Sequence, residues 1–375
     1  PYPVDSVART LDRKDLMAIP LMDIRAQYAP LRAQLDAEIA DILDTGTFIL
    51  GPRVKAIEEE VGVRLDNRPC VGVANGTDAL VIALQALGVG PGDEVITTPY
   101  TFYATAEAIA RHGAVPACID PDLIEERITE KTKAVIPVHI FGHPASMTSI
   151  LTVAAENGLS VIEDAAQAFG AADGEWAVGT MGDIATFSFF PTKNFPGIGD
   201  GGMISCRDTD LAHEVRRLRF HGSDDKQTFF EVGYNSRLDE IQAAAVRTFL
   251  PHVDDWNDRR RQVAAWYAEA GLGQYVTLPE EKDGARHIYH LYVIRHPQRD
   301  RLRELLNEEG VGAVTYYGIP MHLQPVFKGL GYSPGDLPMC EEWASTGLAI
   351  PMHPNLTREQ VDEVVAATGR AVSRL

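Results

Sequence analysis

Cysteine is scarce in this chain of 375 residues. Only Cys70, Cys118, Cys206 and Cys340 occur, far apart and with no Cys-x-x-Cys pair. That spacing excludes a zinc site or disulfide framework and fits a reducing, cytoplasmic setting. Basic residues are also in short supply, 34 Lys and Arg against 53 Asp and Glu, for a net charge of -19. So acidic a balance argues against a nucleic-acid or anionic-membrane partner, since both need a basic patch. Any anionic ligand must then be held by donors gathered locally. No apolar run is long enough to span a membrane, and the N-terminus lacks the apolar core of a signal peptide. Glycine (32) and proline (23) are near ordinary usage, which excludes collagen-like and low-complexity architectures. No Gly-Lys-Ser/Thr closes a glycine-rich loop, so there is no P-loop.

What is present is a globular chain, 45% hydrophobic, too long for one simple core. Residues 1–17 are polar and mixed and read as an N-terminal extension, with Met17 a plausible native start. Residues 18–255 read as a large domain and 256–375 as a smaller C-terminal one. Apolar spacing at Leu31, Leu35, Ile39, Ile42 and Leu43 predicts a helix that Thr45-Gly46 stops, and a second helix covers 54–65. Short apolar strands follow at 70–74, 94–98, 115–119, 134–138, 159–162, 184–190 and 203–206. Helices alternate with them at 79–87, up to 111, up to 157 and at 210–218, then up to 249 and over 253–270. The polar stretch 222–231 reads as a mobile loop. Beyond Gly271 strands are expected at 290–294 and 313–317, with helices at 299–309, 338–347 and 357–372. Strand–helix alternation over 70–250 means a doubly wound, mostly parallel sheet, whose ligands sit at the carboxyl ends of its strands.

The chain is organised around Phe187-Ser188-Phe189-Phe190-Pro191-Thr192-Lys193-Asn194, followed by Gly197, Gly199, Gly201 and Gly202. A lone lysine between aromatic residues and glycines has little water around it, and desolvation lowers the pKa of its ammonium. Such an amine forms Schiff bases with carbonyls, as in pyridoxal phosphate (PLP) enzymes. Taken alone, Lys193 also reads as an exposed loop lysine, as most lysines are. The strand end at Asn75-Gly76-Thr77-Asp78 opens a helix whose free amides suit a phosphate, or is an ordinary cap by Thr77 or Asp78. Phe102 stands past a strand end, where it stacks on a flat heteroaromatic ring or packs in the core. Asp164 ends a buried strand, where a pyridinium N–H, a helix cap or a salt bridge satisfies it. These residues, with His139 and Ser188, all fall at strand carboxyl ends.

Together they resemble the DegT/DnrJ/EryC1/StrS family of PLP-dependent sugar aminotransferases. The matching motifs are Ala74-Asn75-Gly76-Thr77-Asp78-Ala79-Leu80, Gly92-Asp93-Glu94 with Tyr100-Thr101-Phe102, Pro137-Val138-His139, and Glu163-Asp164-Ala165-Ala166-Gln167. Phe187-Ser188-Phe189 with Lys193-Asn194, Gly199-Asp200-Gly201-Gly202, Gly233-Tyr234-Asn235-Ser236-Arg237-Leu238 and Pro320-Met321-His322-Leu323-Gln324-Pro325 complete the set. The resemblance implies an α/β, type I PLP-dependent aminotransferase fold, with a large doubly wound sheet domain and a smaller C-terminal α/β domain. It implies that Lys193 carries the Schiff base and shuttles protons, that Asp164 pairs with the pyridine nitrogen, and that Phe102 stacks on the ring. Gln167 would lie near the ring's phenolic oxygen. Gly76, Thr77 and Ser188 would hold the phosphate, with Asn235 reaching it from a partner subunit, so the resemblance implies a homodimer with shared active sites. Phe48, Arg237, Tyr316, Tyr317, His322 and Gln324 are the candidates for holding substrate.

One departure stands out: family members carry a longer stretch where Asp120 to Lys133 runs here. The implied reaction moves an amino group from an amino acid, glutamate by resemblance, to a nucleotide-linked keto sugar. The opening Asp23-Ile24-Arg25-Ala26-Gln27-Tyr28 leans toward a 3-keto acceptor. A 4-keto sugar, an inosose, and a regulator that binds PLP or a sugar nucleotide without turnover stay open as alternatives.

Overall fold

The computed structural model describes residues 19–119 and 123–375. The N-terminal extension, except its boundary with Ile19, and the first residues of the shortened stretch lie outside the described residues. The main sheet takes β1 (Cys70–Val73), β2 (Glu94–Thr97), β3 (Val115–Cys118), β4 (Thr132–Ile136) and β5 (Ser160–Asp164). The two-residue strands β6 (Ala172–Asp173) and β7 (Trp176–Ala177) come next in the chain and pair with each other, and β8 (Ile184–Ser188) and β9 (Gly202–Cys206) complete the main sheet. Its order is β1-β9-β8-β5-β4-β2-β3. All pairs among β8, β5, β4, β2 and β3 are parallel, and β9 runs antiparallel to both β1 and β8. With β9 alone reversed, the other six strands send their carboxyl ends to one edge, where a doubly wound sheet binds its ligand. Apolar clusters cover the sheet, one built on the helix Gly76–Ala86 and another on Phe169, Phe187, Phe189 and Phe195. Burial on both faces explains the short, almost wholly apolar strands.

Local signals place several boundaries. The helix Arg32–Thr45 stops at Gly46, whose φ of 67° is one a residue with Cβ rarely takes. The helix Gly76–Ala86 starts earlier than its apolar spacing indicates. Its cap is Asn75, whose side-chain oxygen accepts from the Asp78 N–H at 2.8 Å, rather than Thr77 or Asp78. That cap leaves Gly76 and Thr77 inside the first turn, where backbone amides have no intrahelical acceptor.

After the long helix Val253–Glu269 the architecture changes. β10 (Ala285–Arg286) pairs with β6, while β11 (Tyr292–Arg295) pairs antiparallel with β12 (Gly347–Ile350). The strand expected at 313–317 is reduced to one bridge, Val314 with Ala349. Leu348, Ala349 and Ile350, wholly buried, lie between that bridge and β11. The 316–317 backbone and side chains are held elsewhere, Tyr316 O by the Tyr100 hydroxyl and the Tyr317 hydroxyl by Gln167. A separate core gathers Val263, Tyr267, Tyr292, Leu302, Leu305 and Val364, and Ile19 joins it by bridging to Val311.

Candidate active site

The loop that carries Lys193 is fixed from all sides. Phe189 and Phe195 are buried and meet edge to face at 5.0 Å, and Phe195 also packs on Phe169 at 4.4 Å. Backbone bonds from Lys193 N to Phe190 O (2.8 Å) and from Gly197 N to Phe189 O (2.6 Å) close the turn. The Gln242 side-chain amide lies 2.8 or 2.6 Å from where a Cβ on Gly197 or Gly199 would come, and its Oε1 accepts from Ile198 N at 3.0 Å. Tyr28, stacked on Phe249 at 4.7 Å, directs its hydroxyl at Gly197 O (2.9 Å) and Pro191 O (3.2 Å), bracketing the lysine.

Asn194 anchors the next position. Its Nδ2 donates to Asn257 Oδ1 (2.7 Å) and Ile288 O (3.1 Å), and its Oδ1 lies 3.1 Å from His290 Nδ1. Asn257 is itself oriented by donating to Phe169 O. The Asn194 oxygen can only accept, so His290 carries its proton on Nδ1. Burial, then the nearby charges of Lys193 and Arg260, hold His290 far below its ordinary pKa, in the neutral form. Burial likewise lowers the Lys193 ammonium to about 8, against the pull of Asp164 in the opposite direction. At pH 7 roughly a tenth of the amine is therefore free and nucleophilic, against a far smaller share for an exposed lysine.

Two neighbouring acids at the end of β5 face opposite sides of the sheet, as strand alternation requires. Glu163 is saturated: it accepts from His139 Nε2 (3.1 Å) and from the amides of Gly179 (2.8 Å), Met181 (2.8 Å) and Gly182 (2.7 Å). Burial opposes its charge, but these donors outweigh burial and hold the carboxyl below its ordinary value. His139 Nδ1 accepts from Ala145 N at 3.0 Å, so His139 serves as a strut of the fold. Glu163→Ala strands the imidazole and three buried amides. We expect it to destabilise the protein by about 3–5 kcal/mol, measured by urea unfolding of the cofactor-free form.

Asp164 is the under-supplied partner. Its Oδ2 accepts from Thr105 Oγ1 at 2.8 Å and, among the described residues, its Oδ1 only from Ala166 N at 3.3 Å. Burial pushes its pKa up, and Thr105, Ala166 and the charges of Lys193 and His139 oppose the rise without cancelling it. A buried carboxylate with spare lone pairs is a site for an N–H cation.

The remaining predicted residues surround this pair. Gly76 abuts Ser188 so closely that a Cβ would lie 2.8 Å from the serine's own, which brings the helix start and the Ser188 hydroxyl into one cradle. Gln167 donates to the Tyr317 hydroxyl at 3.1 Å and accepts from Phe141 N at 2.7 Å. The Phe102 ring is 55% exposed at the mouth, with Tyr317 at 6.0 Å. Asn235 is exposed and accepts from Arg237, while Ser236 beside it holds Ala74 N at 3.1 Å, next to the cradle. Phe48 is half-exposed and its carbonyl accepts from Glu240 N, three residues past Arg237. His322 is not on the surface of this chain. It is 1% exposed, bonded to Glu341 at 3.1 Å, and Gln324 donates to Ile319 O. Thr105 and His290 are contacts that sequence reading did not single out, while Asn194 and Tyr28 stand in its motifs without an assigned role. Spacing could have flagged Thr105 alone, one helical turn after Phe102.

The chemistry of this donor set fits PLP. A nucleophilic amine, an ionisable carboxyl with spare acceptor capacity, a helix start abutting a hydroxyl, and an open aromatic face gather at the carboxyl edge of the sheet.

Residues 30–368 match the DegT/DnrJ/EryC1/StrS aminotransferase family. A pleiotropic regulatory protein of Geobacillus stearothermophilus is 46% identical over 361 residues, 93% of this chain and 97% of that protein. A UDP-N-acetyl-3-dehydro-alpha-D-glucosamine 3-aminotransferase of Acidithiobacillus ferrooxidans is 44% identical, covering 95% and 98% of the two chains. The crystal structure of S. venezuelae DesV in complex with a ketimine intermediate superposes with a TM-score of 0.91 at 40% identity, over 95% of this chain and 99% of that one. The chain belongs to the DegT/DnrJ/EryC1/StrS aminotransferase family, and it is a transaminase whose cofactor is pyridoxal 5'-phosphate.

Proposed function

We propose that this protein transfers an amino group from an amino acid, glutamate first among the donors, to a nucleotide-linked keto sugar at its C3 ketone. The observation that carries this reading is the buried Lys193 amine, lowered to about 8, acting on the same cleft as the spare acceptor oxygens of Asp164. The 3-aminotransferase name of the Acidithiobacillus relative supports the C3 assignment. When bound, PLP supplies an electron sink for the carbon that loses its proton.

The chain's own residues supply the rest. Asp164 keeps a positive charge at the ring nitrogen, and Gly76, Thr77 and Ser188 hold the phosphate by two amides and a hydroxyl. Phe102 covers one ring face, and Gln167 orients the phenolic side together with Tyr317. Lys193 Nζ would act as general base and then acid, holding the proton taken from the donor. We assign Phe48, Arg237, Tyr316, Tyr317 and Gln324 to substrate contact, and give His322, buried against Glu341, a supporting place.

We further propose a homodimer in which Asn235 of one chain serves the partner's phosphate cradle. The exposed Phe48, Phe229, Phe230 and Val232 on the surrounding surface support this. The division into two domains near residue 255 is likewise our proposal. Val253 at the start of the long helix packs in one core and Val263 and Tyr267 in another, with Ile19 crossing to the second. No helix among the described residues is long and apolar enough to cross a membrane, and the four cysteines are buried. The buried cysteines suit the reducing, cytoplasmic placement we propose.

A panel of keto-sugar nucleotides (3-keto, 4-keto) and an inosose, each with glutamate, tests the reading by amine formation. The 3-keto compounds should react and the others lag. Glutamate should bleach the visible band of the holoenzyme, and a band that glutamate leaves unchanged would contradict glutamate as donor. In the cofactor-free protein, modification of Lys193 by an amine reagent should rise with pH through a midpoint at about 8, where burial places it. A midpoint near that of exposed lysines would contradict the buried geometry.

A further inference from the structure

The helix Tyr103–Arg111 meets the cleft through its first turn. Phe102 caps it, and Thr105 lies three positions on, on the same face. Thr105 is wholly buried. Its Oγ1 lies 2.8 Å from Asp164 Oδ2 and 3.1 Å from Thr101 Oγ1, which is itself buried. An ionised carboxylate can only accept, so Thr105 gives its one proton to Asp164 and accepts that of Thr101. The two hydroxyls thus form a chain polarised toward the carboxylate. The Ala166 amide, at 3.3 Å, is the only other hydrogen-bond donor to the side chain among the described residues. Lys193, His139 and the Tyr317 phenol are the titratable groups acting on Asp164.

We propose that Thr105 is a positioning residue for Asp164, donating to Oδ2 so that the carboxylate stays ionised and presents its remaining lone pairs to the cofactor nitrogen, with Thr101 setting the direction of the hydroxyl. The proposal rests on the role given to Asp164 above. Burial pushes this carboxyl toward its neutral form, and the Thr105 hydrogen bond is the largest opposing influence. A hydrogen bond that favours the charged form lowers the pKa, so losing it raises the pKa.

The test compares Thr105→Val, Thr105→Ser, Asp164→Asn and the Thr105→Val/Asp164→Asn double variant. PLP affinity and the pH titration of the bound cofactor's visible band are the readouts, with the melting of each cofactor-free variant as a folding control. Valine keeps the shape and removes the donor. It should weaken PLP binding about tenfold and move the acid limb of the titration to higher pH. Serine keeps the hydroxyl and should stay within about threefold of the parent. In the Asp164→Asn background, Thr105→Val should add nothing, because it acts through the carboxylate. Equal losses in both backgrounds would mean a merely structural hydroxyl and overturn the proposal. So would a Thr105→Val variant that binds and titrates like the parent while Asp164→Asn loses PLP, and that result would leave the role of Asp164 standing. If Asp164→Asn itself binds and titrates unchanged, the underlying assignment fails and this proposal fails with it.

Discussion

Replacing Lys193 by alanine should abolish amino transfer, lowering the rate by about 10⁴-fold or more, because one side chain supplies both the nucleophile and the proton shuttle. The purified variant should also be colourless. The effect should be confined to chemistry. The Lys193 ammonium gains nothing from its buried position, which lowers its pKa to about 8, and the loop is held by Phe189, Phe195, Tyr28 and Asn194 without it. Thermal melting of the cofactor-free variant should therefore match or exceed that of the parent. A variant that loses activity and unfolds together would mean the lysine is structural. A variant that keeps measurable amino transfer would remove it from the mechanism.

Asp164→Asn should have the next largest effect. The amide is the same size and still accepts from Thr105, but it carries no charge to set against a protonated ring nitrogen. We expect kcat to fall by about 10² to 10³-fold, the range for removing one preorganised electrostatic group. Stability should move the other way. The folded carboxyl has a raised pKa, so at neutral pH, above its unfolded value, the ionised side chain is a burden on the folded state. Relieving it should leave the cofactor-free variant at least as stable as the parent, the opposite of Glu163→Ala one residue away. Measuring kcat and urea midpoints for the two variants separates an acid that serves the cleft from one that serves the fold.

That pair also shows how far the sequence could be read. Strand alternation says that Glu163 and Asp164 face opposite ways, but not which faces the cleft. The assignment of Asp164 came from the resemblance. The answer lies in donors distant along the chain, His139 and residues 179–182 for Glu163 and Thr105 for Asp164. Local signals were legible where local physics decides: the Gly46 stop, the alternation of short apolar strands, and the aromatic and glycine residues flanking Lys193. They misled where tertiary contacts decide. Asn75 outcompeted Thr77 and Asp78 as a cap because the chain enters the helix extended at that residue. The 313–317 strand shortens to the Val314 bridge beside 347–350, and the tyrosines that follow are held by Tyr100 and Gln167. His322 sits in a motif, yet its environment is set by Glu341, 19 residues on.

The most direct measurement of the central claim is to reduce the coloured holoenzyme with borohydride, digest it and map the cofactor by mass. The account predicts a single modified peptide, bearing the added mass on Lys193. Modification of another lysine, or cofactor released unattached, would contradict it.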